Sequence, residues 1–232
     1  MNRTKLLGKM HITAEDLSEI RSAVADAEEK TSGEIALAVT AESADYSFHE
    51  LRAAVLLGAA LFAALIPVHT TVTKIVENFF WAVPSWTTTA IYGFTAFLTI
   101  GVLFLFANIP LLDRAIIPRR IRSRMVYNRA LRHFVESGVY ATRDRTGILV
   151  FLSWMEREVR IIADKGISEK IDQATWNTLA ETIALGVRDG KTAAALLEAV
   201  RECGRILADH FPADSINENE LADGLVVLEK GE

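Results

Sequence analysis

Two long apolar runs limit what this chain can fold into. Residues 51–68 contain one charged residue, Arg52, near one end, and residues 90–112 contain none. A helix needs about 20 apolar residues to cross a hydrocarbon core of roughly 30 Å, so both runs predict membrane-spanning helices. The shorter first run also suits a helix buried in a soluble core, but the second run favours a pair of spans. Composition agrees, because half of the residues are hydrophobic and the mean hydropathy is +0.22.

The distribution of basic residues predicts the orientation of the two spans. The stretch "DRAIIPRRIRSRMVYNRALRH" follows the second run directly, whereas the connection between the runs contains only Lys74 and Glu77 as charged residues. Lysine and arginine accumulate on cytoplasmic flanks, so the residues after 112 are expected inside the cell. Two crossings then place both termini in the cytoplasm. No apolar segment precedes the first charged helix, so no cleaved signal peptide is expected, and the predicted location is an inner membrane.

The basic stretch has two readings. Clustered arginine can neutralise nucleic-acid phosphates, but anionic lipid headgroups already account for a basic segment beside a membrane. We therefore expect the lipid bilayer as a partner and no nucleic acid. Five arginines are the candidates for this membrane-flanking role: Arg114, Arg119, Arg120, Arg122 and Arg124.

The chain before the first span predicts one helix and one strand. Thr13 and Asp16 form a capping signal, and apolar residues at helical spacing follow as far as Gly33. The next segment, "EIALAVT", alternates large apolar and small residues, which is typical of a covered strand. One strand cannot form a sheet, so the remaining strands must lie after the spans.

The chain after the second span predicts a helix, two strands and two further helices. Residues 116–136 form a basic amphipathic pattern. The runs "TGILVFLSW" and "EVRIIADKG" are close enough in sequence to pair as antiparallel strands. Ser168 and Thr192 are the expected caps of the next two helices, and residues 225–228 suit a short edge strand. The single cysteine, Cys203, excludes an intramolecular disulfide and fits the apolar face of the last helix.

Together these elements predict one domain interrupted by a membrane hairpin. The strand before the spans and the two strands after them would share one sheet with helices on both faces. The expected division is a first part at residues 1–50, a transmembrane hairpin at residues 51–112 and the remainder at residues 113–232. Because the first strand leads almost at once into the first span, the domain is expected to lie against the membrane.

At this point the sequence resembles a known family, the TPM domain family. The segments that carry the resemblance are "VADAEEKTSGEIALAV", "TGILVFLSWMEREVRIIADKGI" and "HFPADSINENELADG". The chain looks closest to bacterial, membrane-anchored members with two spans inserted in the domain. The resemblance implies an α/β/α sandwich. For some relatives it implies calcium binding or weak acid-phosphatase activity, and for others a role in assembling or maintaining membrane complexes. The chain departs from exported relatives at "MHITAED", where they have an Asp-rich entry.

The candidate site residues are carboxylates, because no nucleophile or zinc motif is present in the sequence. If the first strand runs parallel to "TGILVFLSW", then Glu34, Asp144 and Asp164 fall at the same end of the sheet. Calcium takes six to eight oxygen ligands, so these residues are a candidate cation site, and Ca²⁺ is the candidate ion. The ordinary alternative is a set of solvated loop acids and caps, since Asp164 precedes a helix N-terminus, where a carboxylate is favoured without a metal.

A second group lies near the C-terminus. Asn219, Glu220 and Asp223 stand in the segment "NELAD", which resembles the family's C-terminal motif, and they would serve either as ligands or as a structural turn. The predicted function is that of an inner-membrane protein whose membrane-apposed, TPM-like domain binds other membrane proteins or a second copy without catalysis. The alternative is a phosphatase-like hydrolase that depends on a divalent cation.

Overall fold

The computed structural model describes residues 2–79, 84–106, 110–213, 220–221 and 223–229. The chain divides into two compact units, one formed by Met1–Asp45 with Arg120–Glu232 and the other by Tyr46–Arg119. The first unit contains the sheet. The second contains both long apolar helices.

The described secondary structure follows the predicted order, with additional short helices. Its elements are, in chain order, α1 (Arg3–Lys9), α2 (Ala14–Glu28), β1 (Glu34–Thr40), α3 (Ser47–Leu65), α4 (His69–Glu77), α5 (Thr87–Phe106), α6 (Pro110–Ile116), α7 (Arg119–Glu136), a 3₁₀ turn (Val139–Ala141), β2 (Gly147–Ser153), β3 (Glu158–Ala163), α8 (Lys165–Ser168), α9 (Gln173–Arg188), α10 (Thr192–His210) and β4 (Leu225–Leu228).

The four described strands form one sheet in the order β3-β2-β1-β4. β1 pairs in parallel with β2 and with β4, and β2 pairs antiparallel with β3. All seven residues of β2 are buried. Successive side chains of a strand point to opposite faces, so Ile148 and Val150 join the core beneath α2, α9 and α10, whereas Leu149 and Phe151 join the core beneath α7. The unit is therefore an α/β/α sandwich, and the predicted fold class is confirmed.

α2 begins where the sequence predicts. The Thr13 hydroxyl accepts a hydrogen bond from the N–H of Asp16 at 3.1 Å, and the Asp16 carboxylate accepts one from the N–H of Thr13 at 2.7 Å. This reciprocal capping box satisfies two N–H groups at the helix end. Ile20 and Val24, both fully buried, then face the sheet.

Two of the predicted helix caps are wrong. Ser168 ends α8 instead of capping the next helix, and α9 begins after Asp172, whose carboxylate accepts the N–H of Ala174 at 3.2 Å. The reason is the turn at Asp164, which starts α8 earlier. Thr192 is the first residue of α10 rather than its cap. The cap position is occupied by Lys191, whose side chain makes no capping hydrogen bond.

The basic segment after the second apolar run consists of two helices instead of one. α6 ends at Ile116 and α7 begins at Arg119. Pro118 lies between them, and the residue before a proline is disfavoured in the helical conformation. α7 then packs on the sheet through Val126, Ala130 and Phe134.

The second unit contains two helices that are long and apolar enough to cross a membrane, α3 and α5. Few of their residues are buried, and Phe94, Phe97 and Leu105 on α5 are each more than 70% exposed. The two helices pack against each other where a Cβ on Gly58 would approach Ile100 Cγ1 to 2.5 Å. Small residues at such crossings allow membrane helices to pack closely. The expected second span at 90–112 runs past the end of α5, and residues 107–109 lie outside the described chain.

Candidate functional site

Strand pairing brings three predicted site residues to one end of the sheet. Glu34 begins β1 and lies opposite Gly147, the first residue of β2. Asp144 precedes β2 by three residues. β3 is antiparallel to β2, so Asp164 follows it at the same end, and its N–H donates to the carbonyl of Gly147 at 2.9 Å. Glu34, Asp144 and Asp164 therefore share the amino-terminal edge of the parallel strands.

The side chain of Glu34 binds the C-terminal segment. Glu34 is only 1% exposed, and its carboxylate accepts the N–H of Leu221 at 3.3 Å. Burial raises the pKa of this carboxyl, and the negative charges of Glu220 and Asp223 act in the same direction, while hydrogen bonds from the backbone N–H groups of Glu220 and Leu221 act against them. Glu34 thus holds the chain that leads into β4.

Glu28 lies beside Glu34 and was not among the predicted site residues. It ends α2, is 6% exposed, and accepts the N–H of Ile35 at 2.8 Å. Burial raises its pKa to about 8, and the nearby charges of Glu34 and Asp223, with a side-chain hydrogen bond to Asp223, add to the effect. A group with this pKa exchanges a proton near neutral pH. The signal in the sequence is its position, four residues after the buried Val24 on the apolar face of α2.

The C-terminal motif contributes two residues to the same cluster. The carboxylate of Glu220 accepts the N–H of Arg143 at 3.0 and 3.2 Å, and Asp223 interacts with Glu28. The predicted residue Asn219 lies outside the described residues. We use the name acidic cluster for Glu28, Glu34, Glu220 and Asp223.

Asp144 and Asp164 make their described contacts elsewhere. Asp144 is half exposed and forms an ion pair with Arg143 at 3.0 Å. Asp164 caps α8, with Oδ1 accepting the N–H of Lys165 at 2.6 Å, whereas its buried Oδ2 has no hydrogen-bond partner among the described residues. Within the described ranges, no three His, Cys, Asp or Glu residues are grouped so that they could hold a metal ion.

Backbone packing fixes the two loops at this edge of the sheet. The N–H of Gly166 donates to the carbonyl of Arg145 at 3.0 Å. A Cβ on Gly166 would lie 2.7 and 2.8 Å from the carbonyl oxygens of Arg145 and Asp144. Only glycine therefore allows the loop after β3 to lie against the loop before β2.

Comparison with known proteins identifies the domain. Residues 115–206 match the family model of the TPM domain. The matched residues form a TPM domain. The NMR structure of the BA42 protein from the psychrophilic bacterium Bizionia argentinensis is similar to it, with 18% sequence identity and a TM-score of 0.55 over 93% of this chain and 94% of that one. At this identity the likeness shows the fold alone, and no curated protein matches the chain.

The TPM domain match begins within the basic segment. Of the five predicted membrane-flanking arginines, Arg119, Arg120 and Arg124 are exposed, and Arg114 and Arg122 are partly buried. α7 is joined to the sheet by a polar contact in which Ser123 donates to Glu158 at 2.9 Å and Arg160 pairs with Glu158 at 2.6 Å. This contact fixes the side of α7 that faces β3.

The acidic cluster can exchange protons and hold backbone N–H groups. Its described hydrogen bonds go mainly to main-chain donors, as at Ile35, Leu221 and Arg143. A hydrolase for phosphate esters also needs an attacking group and positive charge at the phosphoryl oxygens. Lys165 is the described cation closest in sequence to Asp164, and its ammonium is paired with Glu169 at 3.6 Å. The described hydrogen bonds of the acidic cluster thus connect it to backbone segments at this edge of the sheet.

Proposed function

We propose that the protein is an integral inner-membrane protein, with two spans and both termini in the cytoplasm. In this proposal the membrane-apposed TPM domain is a non-catalytic module. It binds other membrane proteins, or a second copy of the chain, and supports the assembly or maintenance of membrane complexes.

One observation carries the proposal. β1 and β2 pair directly over seven residues at the centre of the sheet, and the chain between them contains both long apolar helices. A protease cannot free this domain from its apolar helices with one cut and leave it intact, whereas a domain joined by a terminal anchor can be released. An arrangement of this kind suits a domain that works only at the membrane surface.

The orientation is tested with reporter fusions. Alkaline phosphatase, which is active in the periplasm, and green fluorescent protein, which is fluorescent in the cytoplasm, are fused in turn at Asn78 and at the C-terminus. We expect phosphatase activity at Asn78 and fluorescence at the C-terminus. Periplasmic activity from the C-terminal fusion would contradict the proposed orientation.

The partner is tested by crosslinking in native membranes followed by mass spectrometry. We expect crosslinks from TPM-domain lysines to a membrane protein or to a second copy of the chain. Lys165 and Lys191 are suitable attachment points, since both are exposed. If every crosslink lies within one chain, the interaction role is wrong.

A second candidate function is a cation-dependent phosphohydrolase. The observation that favours it is Oδ2 of Asp164, which is buried without a described hydrogen-bond partner at the edge that also holds Asp144. Purified protein is assayed with p-nitrophenyl phosphate in the presence and absence of Ca²⁺ or Mg²⁺. Ion-dependent turnover that is lost in Asp164→Asn and kept in Asp189→Asn, a surface control, would overturn the non-catalytic proposal.

A further inference from the structure

α7 carries an apolar stripe beside the side that packs on the sheet. Its buried side packs on the sheet, but Tyr127, Leu131 and Val135 are 47%, 39% and 51% exposed. They recur every four residues and so lie on one face of the helix. We use the name outer face for these three residues and the arginines beside them.

Three arginines share the outer face. Arg120 and Arg124 continue the stripe toward the helix N-terminus at helical spacing, and Arg132 flanks it; all three are exposed. None of the three forms an ion pair with another residue that the structure describes. The sequence from Arg114 to Val135 contains no Asp or Glu. The outer face therefore combines unpaired positive charge with exposed apolar side chains.

We propose that the outer face of α7 binds the anionic phospholipid surface of the membrane. Its arginines would contact lipid phosphates, and its apolar stripe would reach the boundary between headgroups and acyl chains, as in interfacial amphipathic helices. This inference rests on the proposed membrane insertion, because α7 follows the second apolar helix closely along the chain.

The apolar stripe decides between lipid and nucleic acid. Phosphate contacts in nucleic-acid complexes come from basic and polar side chains and backbone N–H groups. Such contacts give no role to the exposed side chains of Leu131 and Val135. A bilayer surface offers phosphates and hydrocarbon at neighbouring depths. Charge and apolar surface on one helix face are thus both accounted for by anionic lipid.

The test measures lipid contact at one position of the outer face. Full-length protein carrying Leu131→Cys is labelled with an environment-sensitive fluorophore. The native Cys203 is fully buried, and burial raises the pKa of its thiol to about 12, so the label reacts at the new residue. The labelled protein is reconstituted in nanodiscs of phosphatidylcholine, with or without phosphatidylglycerol, and quenched with lipids that carry a nitroxide on the acyl chain. The matched control is Leu185→Cys on α9, which is 58% exposed.

We expect stronger quenching at position 131 than at position 185, with a further increase when phosphatidylglycerol is present. The double variant Arg120→Gln and Arg124→Gln should weaken the binding of α7 to the phosphatidylglycerol surface about fivefold for each arginine removed. The pair Arg188→Gln and Arg201→Gln, on α9 and α10, should leave it unchanged.

Equal quenching at the two labelled positions in both nanodiscs would overturn the inference. So would copurifying nucleic acid that is lost in the Arg120 and Arg124 variant while quenching is unaffected. Membrane insertion is scored separately by resistance to extraction with alkaline carbonate. If the protein is extracted, the proposed membrane insertion is wrong. Binding of the labelled protein to added phosphatidylglycerol vesicles then still shows whether the outer face binds anionic lipid.

Discussion

Glu28 occupies a position where α2 would ordinarily have an apolar side chain. It follows Val24 by four residues, on the face that packs on the sheet, and its carboxylate accepts the N–H of Ile35. Burial makes the charged form of a carboxylate costly, and this cost raises the pKa of Glu28 to about 8. The residue therefore links the protonation state of the acidic cluster to the stability of the TPM domain.

We predict that the TPM domain loses stability as the pH rises from about 4.5 to about 8. The folded pKa of Glu28 is about 8 and the unfolded value is 4.5, so the folded state binds more protons across this window. The free energy of unfolding should fall by on the order of 1 kcal/mol for each pH unit. Glu28→Gln should flatten this dependence and raise the melting temperature at pH 8. The control is Glu29→Gln, an exposed neighbour. An unchanged pH profile in Glu28→Gln would contradict the assignment.

Gly166 supports a second residue-scale prediction. A Cβ at this position would lie 2.7 Å from the carbonyl oxygen of Arg145, and backbone cannot move aside as a flexible side chain can. Gly166→Ala should therefore destabilise the domain by about 1–3 kcal/mol, measured as the free energy of unfolding in denaturant. Gly8→Ala is the control, because nothing lies within 4 Å of a Cβ there. Equal stability of the two variants would show that the loops do not touch.

At the scale of elements, α3 and α5 depend on close packing at one glycine. A Cβ on Gly58 would lie 2.5 Å from Ile100 Cγ1, so a larger side chain must push the two helices apart. Gly58→Leu should lower the melting temperature of the protein in mild detergent. Gly101→Leu on α5 is the matched control, since a Cβ there meets nothing within 4 Å. If both variants melt like the unchanged protein, the helices do not pack at Gly58.

The sequence predicted those elements whose signals are local. Thr13 and Asp16 mark the start of α2, and the all-apolar run of β2 marks a central strand, because both patterns depend on neighbours in sequence. It did not predict α1, although Leu6 of this helix and Met10 just after it are buried in the core, since so short an apolar pattern is ambiguous.

The acidic cluster was predicted only in part, for a related reason. Strand direction alone places Glu34 at this edge of the sheet, and Glu220 and Asp223 come from the C-terminal motif. The role of Glu28, and the contact of Glu34 with Leu221, arise from residues that are distant in sequence, and no local pattern contains that pairing. The helix cap at Asp172 was missed because the short α8 moves the start of α9 beyond Ser168.

At the scale of the whole molecule, the two units are joined through the middle of the sheet domain. The chain leaves after β1, forms α3 to α6, and returns through α7 to β2. Neither the chain before the apolar helices nor the chain after them contains the complete sheet. β1 lies before these helices, and β2, β3 and β4 lie after them.

This organisation predicts that the protein remains assembled after a cut between the apolar helices. A protease site is inserted after Asn78, just beyond α4, and the purified protein is cleaved in mild detergent. Several sets of contacts cross the cut, among them the pairing of β1 with β2 and β4 and the packing of α2 on α10 and of α3 on α5. The two fragments should therefore elute together in size-exclusion chromatography and separate only in denaturant. Cleaved protein that carries Leu37→Asp, a charge in the sheet core, with Gly58→Leu should separate in detergent alone. Separation of the unmodified fragments under native conditions would show that the strands on either side of the apolar helices do not form one sheet.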